Sequence, residues 1–148
     1  MIPLEDLISL SVLLVYIIPG ALYVYTGNVR DLIAIAGVVA TGTLSEGIKH
    51  LIIGTRSPRP KGASGCDLLC NDGLQEGKPG MPSGHSATAA FFAGYYMEET
   101  TNPWIIGALV IFAASIMYSR YTKRCHSMEQ IVTGGILGYA MSRLVRVM

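Results

Sequence analysis

The strongest constraint on the fold is a set of long stretches without a charge. Leu7 to Tyr25 holds nineteen uncharged residues in a row, close to the roughly 20 that carry a helix through a hydrocarbon core. The residues just before it, Glu5 and Asp6, are not the basic start of a secretory leader, so a retained span is expected rather than a cleaved signal. Four more apolar blocks follow: Leu32 to Gly54, Ser86 to Met97, Trp104 to Tyr118, and about Glu129 to Val147. Only 14% of the 148 residues are charged, against about a quarter in soluble domains, so lipid is the main solvent. A net charge of +1 and three cysteines exclude a polybasic nucleic-acid binder, a disordered chain and a disulfide scaffold. The expected architecture is all-α: one domain over residues 1–148, an integral, multi-pass membrane bundle of about five helices.

Small residues recur at helical spacing within the blocks: Gly37, Thr41 and Ser45; Ala89 and Ala93; Ala90 and Gly94; Gly134 and Gly138. Such rows let helix backbones approach closely where no hydrophobic effect drives them together. The one long connection, Thr55 to Met81, is rich in Gly and Pro and reads as an irregular loop. Glu46, Lys49 and His50 interrupt the second block, and ionisable groups in such a helix face a protein interior or a water-filled site. With antiparallel spans, the end of the second, the start of the third, the end of the fourth and the start of the fifth emerge on one face.

Three polar clusters lie at those points. The first contains Lys49, Arg56 and Arg59-Pro60; the second is Pro82-Ser83-Gly84-His85; the third runs from Ser119-Arg120 to His126, Glu129 and Gln130. Helix N-termini and guanidinium forks hold tetrahedral oxyanions such as phosphate. Two histidines beside such a cradle point to phosphoryl transfer. Nothing in the sequence has metal-ligand spacing, and neither a metal nor another cofactor is expected.

The order Lys, six residues, Arg, then Pro-Ser-Gly-His, then Ser-Arg, five residues, His resembles the three-part signature of the type 2 phosphatidic acid phosphatase superfamily, which includes lipid phosphate phosphatases and the vanadium haloperoxidases. The resemblance covers Lys49 to about Gln130. It implies a helical phosphatase/haloperoxidase-like core and a metal-independent hydrolase acting on a lipid phosphate or pyrophosphate. It implies that His126 is the nucleophile that becomes a phosphohistidine, and that His85 is the general acid and then the base. Lys49, Arg56 and Arg120, with the Ser83-Gly84 hydroxyl and backbone N–H groups, would neutralise the transferring phosphoryl group.

The chain departs from the family pattern in two places. Arg56 is not followed by proline, whereas Arg59 is, so Arg59 stands as the alternative phosphate ligand; the spacing from Lys49 favours Arg56. The family's orienting aspartate, four residues after the nucleophile, is here Gln130. An amide accepts the imidazole N–H without a charge, and if rotated it donates and selects the wrong tautomer. Glu129 or Gln130 is then expected to orient His126, Glu46 from the second helix being another acid able to reach it, and Gln130→Asp is expected to raise phosphate release. The alternative is a membrane scaffold that keeps the fold and has lost the chemistry. Five helices against the six usual in the family suggest completion by a homo-oligomer or partner, and are too few for an inverted-repeat transporter. Cys66 and Cys70 either pair or stay reduced; Cys125 is read as packing.

Overall fold

The computed structural model describes residues 3–147, and among them every regular element is helical. Helix α1 spans Leu4–Thr26 with a 3₁₀ turn at Ser11–Leu13, and α2 spans Val29–Arg56. Helix α3 spans Gly84–Met97, α4 Pro103–Thr122 and α5 Met128–Val147. Local chemistry sets these ends. The side chains of Asn28, Ser83 and Asn102 each accept an N–H from the first turn they precede, and Pro103 occupies the first position of α4, where no N–H is missed.

Helices α1, α2 and α4 are each long and apolar enough to cross a membrane. Helix α3 is not. Its 14 residues reach about 21 Å, short of a hydrocarbon core of roughly 30 Å. Nine of them are buried, because α3 is the central rod and meets protein on most sides. It packs most extensively on α5, then on α4 and α2. The α3–α5 contact depends on missing side chains: a Cβ on Gly134 would strike the Ser83 carbonyl, and one on Gly138 the Ala87 carbonyl. On the α2 side, Gly37 leaves room for the ring of Phe91, which is buried with Val12, Val15, Val38 and Ile116.

The two ends of the bundle differ. At one end Arg30 pairs with Glu99 (2.7 Å), Arg146 with Glu99 (2.5 Å) and Arg143 with Glu98, while Tyr96 donates its hydroxyl to Asp31 (2.7 Å). These contacts tie the start of α2 to the ends of α3 and α5. At the other end lies the long connection between α2 and α3, which folds back on itself through antiparallel bridges of Pro58 with Pro79 and Ser64 with Leu74. A disulfide, Cys66–Cys125, with 5.5 Å between Cα atoms, fastens this loop to the α4–α5 connection. The cysteine expectation is thereby corrected. Cys70 is the free thiol and Cys125 is cross-linked, because the folded-back loop carries Ala63 and Cys66 onto Cys125 in one small buried cluster.

Candidate active site

Helix α2 does not finish as it begins. Ile48–Ile53 opens into a π turn, and Gly54, at φ 58° and ψ −140°, leads into a last 3₁₀ turn. A π turn takes i to i+5 rather than i to i+4, so a residue spacing counted from Lys49 loses its register there. Lys49 points into the bundle and is 3% exposed. Arg56 is exposed, and its guanidinium donates to the Ile52 carbonyl (3.2 Å). Arg59 turns back inside and donates from Nη1 to the Cys125 carbonyl (3.2 Å). The structure thus brings Arg59, not Arg56, to the other candidate residues. The sequence signal for this was Arg59-Pro60, set against a spacing that the π turn invalidates.

The Pro-Ser-Gly-His segment opens α3. Ser83 is fully buried, its hydroxyl receives the Ser86 N–H (3.4 Å), and its own N–H donates to the Gln130 carbonyl (2.9 Å). Its polar groups are therefore committed to capping α3 and joining it to α5. Gly84 and His85 face the cavity instead. As the first residues of the helix they have N–H groups without a helical acceptor, at the positive end of the helix dipole.

Between α4 and α5 the chain carries Arg120 and His126. Arg120 is wholly buried; Nη1 donates to Ser9 Oγ (2.5 Å) and Nη2 to the Cys66 carbonyl (2.5 Å). His126 is 2% exposed. Its Nδ1 lies 3.2 Å from Gln130 Oε1, and its Nε2 lies 3.2 Å from Arg59 Nη1. The surroundings of Gln130 settle which way its amide points. Nε2 donates toward the Pro58 carbonyl (2.9 Å), Ser57 Oγ (3.0 Å) and the Ser57 carbonyl (3.3 Å), while Oε1 also accepts the Ser127 N–H (3.2 Å). With acceptors on one side and a donor on the other, Oε1 must face the ring, so Nδ1 carries the proton. The lone pair is then on Nε2, facing the Arg59 donor. Glu129 is exposed, and Glu46 contacts Lys49 and His50; neither acid reaches His126.

Lys49, Arg59, Gly84, His85 and His126 line one cavity of about 720 Å³, with Val12, Tyr16, Val39 and Gly42 forming an apolar wall toward α1 and α2. Among the described residues, four buried side-chain atoms lack a hydrogen-bond partner: Ser45 Oγ, Arg59 Nε, His85 Nε2 and Arg120 Nε. Each orphan costs about 1–3 kcal/mol, and two of them, Arg59 Nε and His85 Nε2, belong to residues that line the cavity, as a place that takes a polar ligand requires. Burial, and then the charges of Arg59, Arg120 and Lys49, hold the His126 pKa well below 6.5; the ring is neutral at neutral pH. Among the described residues no three His, Cys, Asp or Glu side chains gather as a metal site. Positive charge comes from Lys49 and Arg59, with Arg120 behind the wall. The arrangement joins a neutral, oriented imidazole, a second imidazole, fixed cations and open helix N–H groups.

Ser9, Ser57 and Pro58 are site residues that the sequence did not single out. Ser9 left a signal, as a hydroxyl within an apolar span; Ser57 and Pro58 left none, because they act through main-chain and short polar contacts that only the folded loop creates. A family model described as the PAP2 superfamily matches residues 31–148. No curated protein and no solved structure matches the chain.

Proposed function

The chain belongs to the PAP2 superfamily, whose members are generally phosphatases, and from that premise we propose that it is a multi-pass membrane phosphatase cleaving a lipid phosphate or pyrophosphate through a phosphohistidine. The observation that carries the reading is the state of His126: buried, neutral, and held by Gln130 with its Nε2 lone pair facing the Arg59 donor.

In the proposed reaction His126 Nε2 attacks phosphorus, forming a P–N bond as the P–O bond to the alcohol breaks. His85, which stands among the cations, takes up a proton that enters with the substrate phosphate and gives it to the departing oxygen. Water then attacks the phosphohistidine, His85 takes the proton released, and the P–N bond breaks to return neutral His126 and free phosphate. Lys49, Arg59 and the Gly84 and His85 N–H groups stabilise the equatorial oxygens, where charge spreads in the transition state. The apolar wall of Val12, Tyr16 and Val39 suits a leaving group with a hydrocarbon chain. That favours a lipid ester over a water-soluble one.

A second reading has one observation behind it. Gln130 is neutral where the family carries an acid, which fits a scaffold that has kept the fold without the chemistry. Phosphate release from phosphatidate in detergent micelles, with and without vanadate, separates the two. Vanadate-sensitive turnover that vanishes in His126→Asn supports the phosphatase; no turnover in the wild type leaves the scaffold.

A further inference from the structure

Among the described residues, Glu46 is the one acid in direct contact with the proposed phosphate-binding cations, and the phosphatase reading has no use for it. Its Oε1 contacts Lys49 Nζ, and its Oε2 lies 3.3 Å from His50 Nε2. The same carboxylate lies against Gly84, so that a Cβ there would meet Glu46 Oε1 at 3.2 Å. Lys49 is almost wholly buried, and Glu46 is half exposed at the cavity. A negative group therefore rests against the open first turn of α3, on the ammonium that would hold a phosphate oxygen. That is where an anionic ligand belongs.

We infer that Glu46 is a built-in competitor for the phosphate subsite, a counter-ion that occupies Lys49 when no phosphate is bound and gives it up when one enters. The inference rests on the phosphatase reading of this cavity. Two physical facts require such a partner. A buried ammonium without a counter-charge is strongly unfavourable, so Lys49 needs an anion in the empty site. A carboxylate and a phosphate dianion cannot share the ammonium and the helix N-terminus without repelling one another, so each weakens the other's hold. His50, on the outer side of Glu46, offers the displaced carboxylate a second contact one turn further along α2. The consequence is a site whose affinity for phosphate is held moderate: as product leaves, Glu46 recaptures Lys49, which limits retention of inorganic phosphate. Glu46 is thus a positioning residue that sets affinity and does not touch the reacting atoms.

Titration of the purified full chain in detergent with inorganic phosphate by calorimetry tests this, alongside phosphatidate hydrolysis by the same preparation. Glu46→Gln is expected to bind phosphate about three- to tenfold more tightly than wild type, a direction that damage to the fold does not produce. The gain is expected to vanish in a Lys49→Gln background, since the competition runs through that ammonium. Without phosphate, Glu46→Gln is expected to melt below wild type, and phosphate is expected to raise its melting temperature by more. Unchanged or weaker phosphate binding in Glu46→Gln, with wild type binding and turning over normally, overturns the role of Glu46 alone. A gain that survives removal of Lys49 overturns it as well. Turnover of phosphatidate by a wild type that binds no phosphate overturns this inference alone, and absence of both binding and turnover overturns the phosphatase reading with it.

Discussion

Gln130 holds more of the candidate chemistry than any other single residue. In the sequence it looks like a loss, an amide where an acid belongs, and it suggests that Gln130→Asp restores activity. The folded chain reverses that expectation. The Nε2 side of the amide faces the Pro58 carbonyl and both oxygens of Ser57, and Gly80 is pressed so closely against the amide that a Cβ there would overlap it. Asp is one methylene shorter than Gln, so its carboxylate falls short of that place, and it brings no N–H to the Pro58 and Ser57 carbonyls. Gln130→Asp is therefore expected to lose about 1–3 kcal/mol of stability, read by thermal or denaturant unfolding, and to give no rise in phosphate release. Gln130→Leu removes the group that fixes the Nδ1–H tautomer. By analogy with the orienting carboxylate of the serine-protease triad, which holds its imidazole in one tautomer, kcat is expected to fall by about 10²–10⁴ with KM little changed. The two arginines of the first cluster separate just as clearly. Arg59→Ala is expected to cut kcat/KM by about 10²-fold or more, and Arg56→Ala, on the exposed outside, to stay within about twofold. Removing Arg59 also removes a positive charge that helps hold the His126 pKa below 6.5, second to burial. The ring then protonates at higher pH, so the acid limb of kcat/KM in Arg59→Ala is expected to shift upward relative to wild type.

Helix α1 shows how an element outside the family match takes part in the site. The match begins at residue 31, yet α1 supplies Ser9 to Arg120, Asp6 to Lys123, and Val12 and Tyr16 to the cavity wall. With Nε already unpartnered, loss of the Ser9 hydroxyl leaves Arg120 with one remaining hydrogen bond, to Cys66. Ser9→Ala is expected to lower kcat/KM about tenfold and Ser9→Thr to recover most of it; equal activity in all three proteins contradicts a positioning role. The elements themselves were largely readable in the sequence, because uncharged runs and Asn, Ser, Pro and Gly signals act locally. The blocks beginning at Leu7, Leu32, Ser86, Trp104 and Glu129 became α1 to α5 with ends moved by a few residues. What misled was the end of α2. A spacing of six residues from Lys49 to Arg56 carries meaning only on a regular helix, and Ile48–Ile53 is a π turn that no Pro or Gly within it announces. The Cys66–Cys125 pair was hidden for a similar reason: it joins residues 59 apart that meet only once the loop has folded back.

The molecule as a whole is a short central helix held at both ends, by ion pairs around Glu98 and Glu99 at one and by a cross-linked loop over the cavity at the other. The disulfide closes 59 residues, worth about 4 kcal/mol on chain-entropy grounds. The double variant Cys66→Ser/Cys125→Ser is expected to unfold at markedly lower temperature. Alkylation before reduction is expected to modify Cys70 alone, and alkylation of all three cysteines in the protein as isolated from an oxidising compartment contradicts the pairing. The loop residues Leu68, Gln75 and Pro79 line the cavity beside the cations, opposite the apolar wall on α1 and α2. That layout suits the proposed cleavage of a phosphate from an apolar leaving group. The decisive measurement is trapping of the enzyme, without an acid quench, during turnover of phosphate-labelled phosphatidate, followed by peptide mapping at alkaline pH, where phosphohistidine survives. Label on the peptide that contains His126, absent in His126→Asn together with all turnover, is the expected result. Turnover that persists in His126→Asn, or that proceeds in wild type with the label on another residue, contradicts it.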